Sequence, residues 1–284
     1  MRLRTLIKNL APPFAIGLYR RFRPFRPAWH GVYRHFRDVP GANGPRSEAW
    51  RWMGSDPRRY ATVPIDVREE HAILGFIAAV VGRENRGRVR VLDFGGGIGL
   101  AYVHLLKTSH ERFAVTYDVI ELEWACAEGR QIFEHDPHIA FHASLPADCA
   151  GVDIIVAASS IQYIEDYAGL LARLCEYNVR YILLTDLYTG GFPTYATCEL
   201  SAPGAAIPFW FVNRSELVGI LRQGGYELLF TGRTPDAVGQ ENFPEDMRLP
   251  EGRRSAMLFG RVRGPAEGRG IPVTAKDSGH DTAD

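Results

Sequence analysis

The sequence has few cysteines, no net charge and no long apolar run. Its four cysteines stand far apart and form no CxxC pair, a spacing that favours neither a zinc site nor a disulfide framework. The formal net charge of +0 argues against a nucleic acid as partner of the whole molecule. No run approaches the roughly 20 apolar residues that cross a bilayer. Lys8 and Pro12-Pro13 interrupt the N-terminal apolar stretch, so no signal peptide is predicted and a cytoplasmic location is expected.

A metal site is not predicted. His135, His138 and His142 are close in sequence, but Pro137 breaks the helical geometry between them. No cysteine or paired carboxylate nearby completes a ligand set.

Acidic residues are missing from the first 37 positions, where nine basic residues interleave with aromatic ones. Residues 1–62 are therefore predicted to form a basic, aromatic N-terminal extension that begins with a short helix. Two interpretations stay open. The arm docks peripherally on an anionic surface such as the inner leaflet of the membrane, or its aromatic residues pack on the core as a lid. The C-terminal residues 264–284 contain few large apolar residues and are predicted to be disordered.

Between these ends, residues 63–263 alternate between short apolar strands and helices. The predicted strands are 89–94, 115–121, 139–143, 152–158, 181–185, 226–231 and 256–262. Regular alternation of this kind predicts an α/β fold with a doubly wound, mostly parallel sheet and helices on both faces.

The strongest functional motif follows the first strand, in the segment VLDFGGGIG. Gly95, Gly96, Gly97 and Gly99 permit a tight turn that a ligand can approach closely, and the helix behind them offers free N–H groups. A dinucleotide fingerprint needs G-x-G-x-x-G, and no starting glycine here supplies the third one. The spacing is D-x-G-x-G-x-G instead, with Asp93 in its first position.

Polar residues also end the second and third strands, at the same edge of the predicted sheet. Glu121 ends the second strand, where a carboxylate can accept hydrogen bonds from both hydroxyls of a ribose, and Asp118 and Glu123 are its alternatives. Ser144 and Leu145 follow the third strand and are further candidate ligand contacts, since the Ser144 hydroxyl can form a hydrogen bond and Leu145 can pack on a ring.

The fourth and fifth strands end in further candidates. Ser160, Gln162 and Tyr163 are the polar groups best placed to reach the reacting end of a cofactor or its substrate, and Ser160 is assigned to the cofactor. His142, Tyr163 and Asp186 are the candidate general bases. A group of aromatic residues forms the wall of the acceptor pocket or simply packs in the core: Tyr188, Tyr195, Phe209, Trp210 and Phe211.

The glycine motif resembles the first motif of class I S-adenosylmethionine-dependent methyltransferases. Further segments, VIELEWACAEGR, DIIVAASSIQYIED and IPFWFVNRSELVGILRQGGYEL, resemble the LIC12133-type family of bacterial methyltransferases. The resemblance implies a Rossmann-like class I methyltransferase fold and S-adenosyl-L-methionine as cofactor, with Asp93 orienting its ammonium group. It also implies a small-molecule or glycan-precursor acceptor, methylated by in-line transfer.

Two other functions are compatible with such a sheet. A NAD-type Rossmann oxidoreductase is disfavoured because the third glycine of its fingerprint is missing. A non-catalytic partner protein that keeps the methyltransferase fold is disfavoured because the glycine loop is nearly intact.

Overall fold

The computed structural model describes residues 28–40, 69–109, 112–147, 150–200 and 206–262. The helices and strands in chain order are β1 (Trp29–Tyr33), α1 (Glu69–Glu84), β2 (Arg88–Phe94), α2 (Leu100–Ser109), β3 (Ala114–Ile120), α3 (Glu123–Ile132), β4 (Ile139–His142), β5 (Ile154–Ala158), α4 (Tyr167–Glu176), β6 (Tyr181–Leu187), β7 (Thr189–Gly190), β8 (Tyr195–Glu199), β9 (Ile207–Asn213), α5 (Arg214–Gln223), β10 (Tyr226–Ala237) and β11 (Arg253–Arg261).

A seven-stranded sheet with the order β10-β11-β6-β5-β2-β3-β4 forms the centre of the molecule. The five strands from β6 to β4 are parallel, whereas β11 and β10 are each antiparallel to their neighbour. From β2 the chain first moves outward to β3 and β4 and then returns to β5 on the other side. This reversal defines a doubly wound, Rossmann-like sheet, and the predicted α/β fold is confirmed.

The sheet is covered on both faces because successive side chains of its strands point to opposite sides. Val91 packs into the core beneath α1 and α2, whereas the neighbouring Leu92 packs into the core beneath α4 and α5. Two of these helices begin at side-chain caps, since Asp166 accepts from the Gly169 N–H at 2.8 Å and Asn213 accepts from the Glu216 N–H at 3.0 Å.

A second, four-stranded sheet with the order β1-β8-β9-β7 lies outside the predicted alternation. Its strand β1 comes from the N-terminal extension and pairs antiparallel with β8, so residues far apart in sequence meet there. The core of this sheet is rich in aromatic rings, with Trp29, Tyr188, Phe209 and Phe211 in mutual contact.

The N-terminal extension is helical by prediction, but its described residues, 28–40, form β1 and one 3-10 turn at Phe36–Asp38. Trp29 and Phe36 are only 4% and 2% exposed, so both pack inside the protein. The extended conformation follows from pairing with β8, which provides the backbone hydrogen-bond partners of this segment. The predicted short helix near the N-terminus and the predicted disordered tail lie outside the described residues. Among the helices that the structure does describe, none is both long and apolar enough to span a bilayer.

Candidate functional site

The glycine loop joins the end of β2 to the start of α2. Gly95, Gly97 and Gly99 have φ angles of 74°, 60° and 91°, in the left-handed region that favours glycine. A Cβ atom at Gly95 would meet the Ser160 side chain, and one at Gly99 would meet Phe133, but at Gly97 it would meet no atom within 4 Å. Gly97 therefore faces open space, and this is the point of the loop that a ligand can approach.

Helix α2 begins at Leu100, directly after the loop, and its first turn contains no acidic residue. The free N–H groups and the positive end of the helix dipole are thus available to an anionic group of a ligand.

Asp93 lies directly beneath the loop. Its side chain is 1% exposed, and a Cβ atom on Gly96 would lie only 2.3 Å from its Oδ2. Oδ2 accepts a hydrogen bond from the Tyr117 hydroxyl at 2.7 Å, whereas Oδ1 is buried without a partner. Burial raises the pKa of this carboxyl group from 3.8 to about 7, although the Tyr117 hydrogen bond lowers it. A cationic ligand group would satisfy the free oxygen and favour the ionised form.

Glu121 is the first residue after β3, and its carboxylate reaches across to the glycine loop. It accepts hydrogen bonds from the backbone N–H groups of Leu122, at 2.6 Å, and of Gly97. Burial raises the pKa of Glu121, and these two hydrogen bonds lower it. The alternatives point elsewhere: Asp118 pairs with Arg90 and His142, and Glu123 contacts Arg130. Of the three acidic residues, Glu121 is the one that contacts the open glycine.

Ser160 connects the ends of two neighbouring parallel strands. It follows β5, packs against Gly95, and its hydroxyl donates to the Phe94 carbonyl at the end of β2 (2.8 Å). Its hydroxyl hydrogen is therefore engaged in holding the loop, and the hydroxyl can act toward a ligand only as an acceptor. Ser144 is exposed after β4, and the neighbouring Leu145 packs partly buried against the core beneath α4.

The three candidate bases lie on both sides of the glycine loop. His142 ends β4, and its Nε2 lies 2.9 Å from Asp118 Oδ1. Tyr163 and Asp186 lie on the opposite side, at the ends of β5 and β6. The Tyr163 hydroxyl donates to Glu199 at 2.8 Å, and burial together with this carboxylate raises the pKa of Tyr163 well above its usual value. Asp186 forms an ion pair with Arg254.

Two non-glycine residues adopt left-handed backbone at the carboxyl ends of β5 and β6. Ser159 has a φ of 53° and Asp186 a φ of 57°, and the Ser159 N–H donates to the Thr185 carbonyl at 3.1 Å. The buried side chain of Gln162 joins the two, because its Nε2 donates to the Asp186 carbonyl at 3.0 Å and to Ser159 Oγ at 3.4 Å. Gln162 Oε1 is buried without a partner. Strained backbone and an unpaired buried acceptor are typical of functional sites.

The aromatic residues that were candidates for a pocket wall are mostly packed against one another. Tyr188 and Phe209 have ring centroids 4.7 Å apart, and Tyr195 stacks on Phe211 at 5.1 Å. Trp210 belongs to the other core, where it stacks on Phe36 at 5.3 Å. This arrangement agrees with the core-packing interpretation of these rings.

Neither a protein-family model nor a curated protein matches the chain. Several solved structures are similar to it. Magnesium protoporphyrin IX methyltransferase from Synechocystis PCC 6803, with bound S-adenosylhomocysteine, is 14% identical with a TM-score of 0.46, over 76% of this chain and 97% of that one. The 1,6-didemethyltoxoflavin-N1-methyltransferase of Burkholderia thailandensis, with its substrate and S-adenosylhomocysteine bound, is 15% identical with a TM-score of 0.46, over 89% and 92%.

An S-adenosylmethionine-dependent methyltransferase from Clostridium acetobutylicum ATCC 824 is 13% identical with a TM-score of 0.41, over 72% of this chain and 95% of that one. At such identities and TM-scores, these similarities carry neither the fold assignment nor a function. Both depend on the strand order and the residues of this chain itself.

Proposed function

We propose that the protein binds S-adenosyl-L-methionine on the glycine loop and transfers its methyl group to a small-molecule acceptor. The observation that carries this proposal is the open position at Gly97, between the unpaired Oδ1 of Asp93 and the carboxylate of Glu121. The D-x-G-x-G-x-G spacing and the doubly wound strand order support it. Membership in the LIC12133-type methyltransferase family is part of the same proposal.

The donor set fits each part of this cofactor. The N-terminus of α2 suits the carboxylate of the amino-acid part, and Asp93 Oδ1 suits its ammonium group. Glu121 would accept from the ribose hydroxyls, while Ser144 and Leu145 would contact the adenine ring. When bound, S-adenosyl-L-methionine supplies an electrophilic methyl group on a positively charged sulfur.

The chain contributes to methyl transfer mainly by positioning the acceptor, since alignment of the two reacting atoms accounts for much of the rate. A hydroxyl or amine nucleophile must also release its proton as it gains the methyl group. Asp186 is the proposed proton acceptor because it lies at the carboxyl edge of the sheet beside β5, where its carboxylate forms an ion pair with Arg254. Tyr163 retains its proton, so its hydroxyl acts as a hydrogen-bond donor.

Binding measurements test the cofactor and exclude the oxidoreductase alternative. Isothermal titration calorimetry should show S-adenosylhomocysteine binding to the full-length protein and no heat with NAD⁺. Binding of NAD⁺ in preference to S-adenosylhomocysteine would overturn the proposal. Binding of S-adenosylhomocysteine without methyl transfer to any acceptor in a broad panel would favour the non-catalytic partner protein.

A further inference from the structure

A cavity of about 270 Å³ opens at the carboxyl end of β6, between α1 and the two antiparallel strands β10 and β11. Its walls are mainly apolar and include Ile73, Phe76, Phe230 and Ala256, and Arg233 and Thr234 of β10 also line it. Phe76 and Phe230 are 76% and 47% exposed, which is unusual for phenylalanine.

The floor of the cavity is polar. Thr185 and Asp186 line it, and the Thr185 hydroxyl is buried without a hydrogen-bond partner although the residue is only 1% exposed. An unpaired buried hydroxyl is costly, and a polar group of a bound molecule would satisfy it. The floor of the cavity therefore suits a polar group, and the mainly apolar walls suit an apolar body.

The floor lies beside the proposed cofactor site. Thr185 is hydrogen-bonded to Ser159, and the next residue, Ser160, packs against Gly95 of the glycine loop. The cavity and the loop are thus separated only by β5, and neighbouring strands of a sheet are about 4.8 Å apart. A polar group bound at the floor would therefore lie two strands away from the strand that leads into the glycine loop.

We propose that this cavity is the acceptor pocket and that it takes a small, largely apolar ring compound with one hydroxyl or amine nucleophile. This inference rests on the proposed methyltransferase function and replaces the glycan-precursor expectation. A cavity of about 150 Å³ already holds benzene, so the observed volume suits one or two rings. A sugar would place several of its hydroxyls against the mainly apolar walls, where most of them would lack a hydrogen-bond partner.

In the transfer step the nucleophilic oxygen or nitrogen forms a bond to the methyl carbon while the carbon–sulfur bond breaks. The electron pair of the broken bond stays on sulfur. The proton of the nucleophile passes to Asp186 at the floor or to water. The Thr185 hydroxyl is a positioning group that holds the nucleophile by a hydrogen bond.

Binding of 4-fluorophenol, followed by ¹⁹F NMR in the presence of S-adenosylhomocysteine, tests the pocket. Ala72→Phe would fill the cavity from α1. Ala79→Phe is its matched control, because Ala79 is an exposed residue two turns further along the same helix and does not line the cavity. The wild type and Ala79→Phe should bind the probe equally, and Ala72→Phe should bind it at least tenfold more weakly. Equal binding by Ala72→Phe, or displacement of the probe by methyl α-D-glucopyranoside, would overturn the inference.

Two further measurements separate the possible failures. Thr185→Val should weaken probe binding severalfold. If Ala72→Phe does not fold, Phe230→Ala takes its place as the test, because it removes one wall of the cavity. Calorimetry with S-adenosylhomocysteine should give the same affinity for all these variants. Cofactor binding without probe binding would defeat the acceptor pocket alone, whereas loss of cofactor binding in the wild type would defeat the proposed function.

Discussion

At the scale of single residues, the buried carboxyl group of Asp93 determines how the site responds to pH. Its pKa of about 7 lies above the ordinary value of 3.8, because burial disfavours the charge. Below about pH 4 the folded and unfolded chains both carry the proton, and the stabilising contribution of this group is fully present. That contribution is lost as the pH rises through 7, where the folded protein must bury an unpaired charge.

Asp93→Asn should therefore remove a pH dependence of stability on the order of a few kcal/mol. Without ligand, the melting temperature of the variant should rise relative to that of the wild type as the pH is increased from 5 to 8. The wild type should also bind S-adenosylhomocysteine more tightly as the pH rises toward 7, because the ammonium group favours ionised Asp93. The variant should bind it more weakly and without this rise. If the wild type and Asp93→Asn differ in stability by the same amount at pH 5 and at pH 8, the raised pKa of Asp93 is contradicted.

Glu121 and Glu123 form a natural comparison pair, two residues apart on either side of the start of α3. Glu121→Ala should remove charge-assisted hydrogen bonds worth about 1.5–3 kcal/mol. The affinity for S-adenosylhomocysteine should therefore fall at least tenfold. Glu123→Ala should leave the affinity unchanged, since that side chain contacts Arg130 rather than the glycine loop. Calorimetry on both variants decides between them, and the opposite ranking would assign the ribose to Glu123.

At the scale of secondary-structure elements, the turn from β2 into α2 is the feature on which the proposed cofactor binding depends. Gly97→Val would place a side chain in the open space beside the loop, which the proposed cofactor would occupy. Gly151→Val is its matched control, because Gly151 also has a positive φ, of 79°, and open space around it, but lies outside the loop.

Both substitutions impose similar backbone strain of roughly 1–2 kcal/mol, so both variants should melt slightly below the wild type. Gly97→Val should lose S-adenosylhomocysteine binding, whereas Gly151→Val should retain it. Calorimetry and thermal unfolding together report the two effects. If Gly97→Val binds as tightly as Gly151→Val, the cofactor does not approach the loop at this position.

The central sheet could be predicted from the sequence because its signals are local. Each buried strand is a short apolar run, and the glycines that follow β2 announce a turn into a helix. The left-handed backbone of Ser159 and Asp186 gave no such signal, since neither is a glycine. The Gln162 side chain donates to both residues, and this contact exists because β5 and β6 are neighbours in the sheet, which no local pattern predicts.

At the scale of the whole molecule, the second sheet was beyond local reasoning. Strands β1 and β8 are separated by more than half of the chain, yet they pair, for example at Trp29 and Glu199. Neither segment has a sequence pattern that predicts its partner strand. The cavity at β6 likewise depends on α1, β10 and β11 coming together in space. Sequence patterns predicted the strands and the glycine loop, but contacts between distant segments form the cavity proposed as the acceptor pocket.

The N-terminal arm, residues 1–40, contains aromatic residues that pack in the core and others that are candidates for membrane contact. Trp29 and Phe36 are buried, so they are not available to a membrane. The basic and aromatic character of residues 1–27 is independent of that packing, since Phe14, Phe22 and Phe25 lie there among most of the basic residues.

We expect residues 1–27 to bind anionic membranes, because basic residues near such a surface contribute about 1 kcal/mol each and aromatic rings suit the interface. In sedimentation assays the full-length protein should bind vesicles that contain phosphatidylglycerol and not vesicles of phosphatidylcholine alone. Added salt should weaken this binding, since it screens the charges. Deleting residues 1–27 should abolish it, and changing Arg20, Arg21, Arg23 and Arg26 to Gln should weaken it at least tenfold. Equal, weak binding to both vesicle types would instead assign the arm to packing on the protein core.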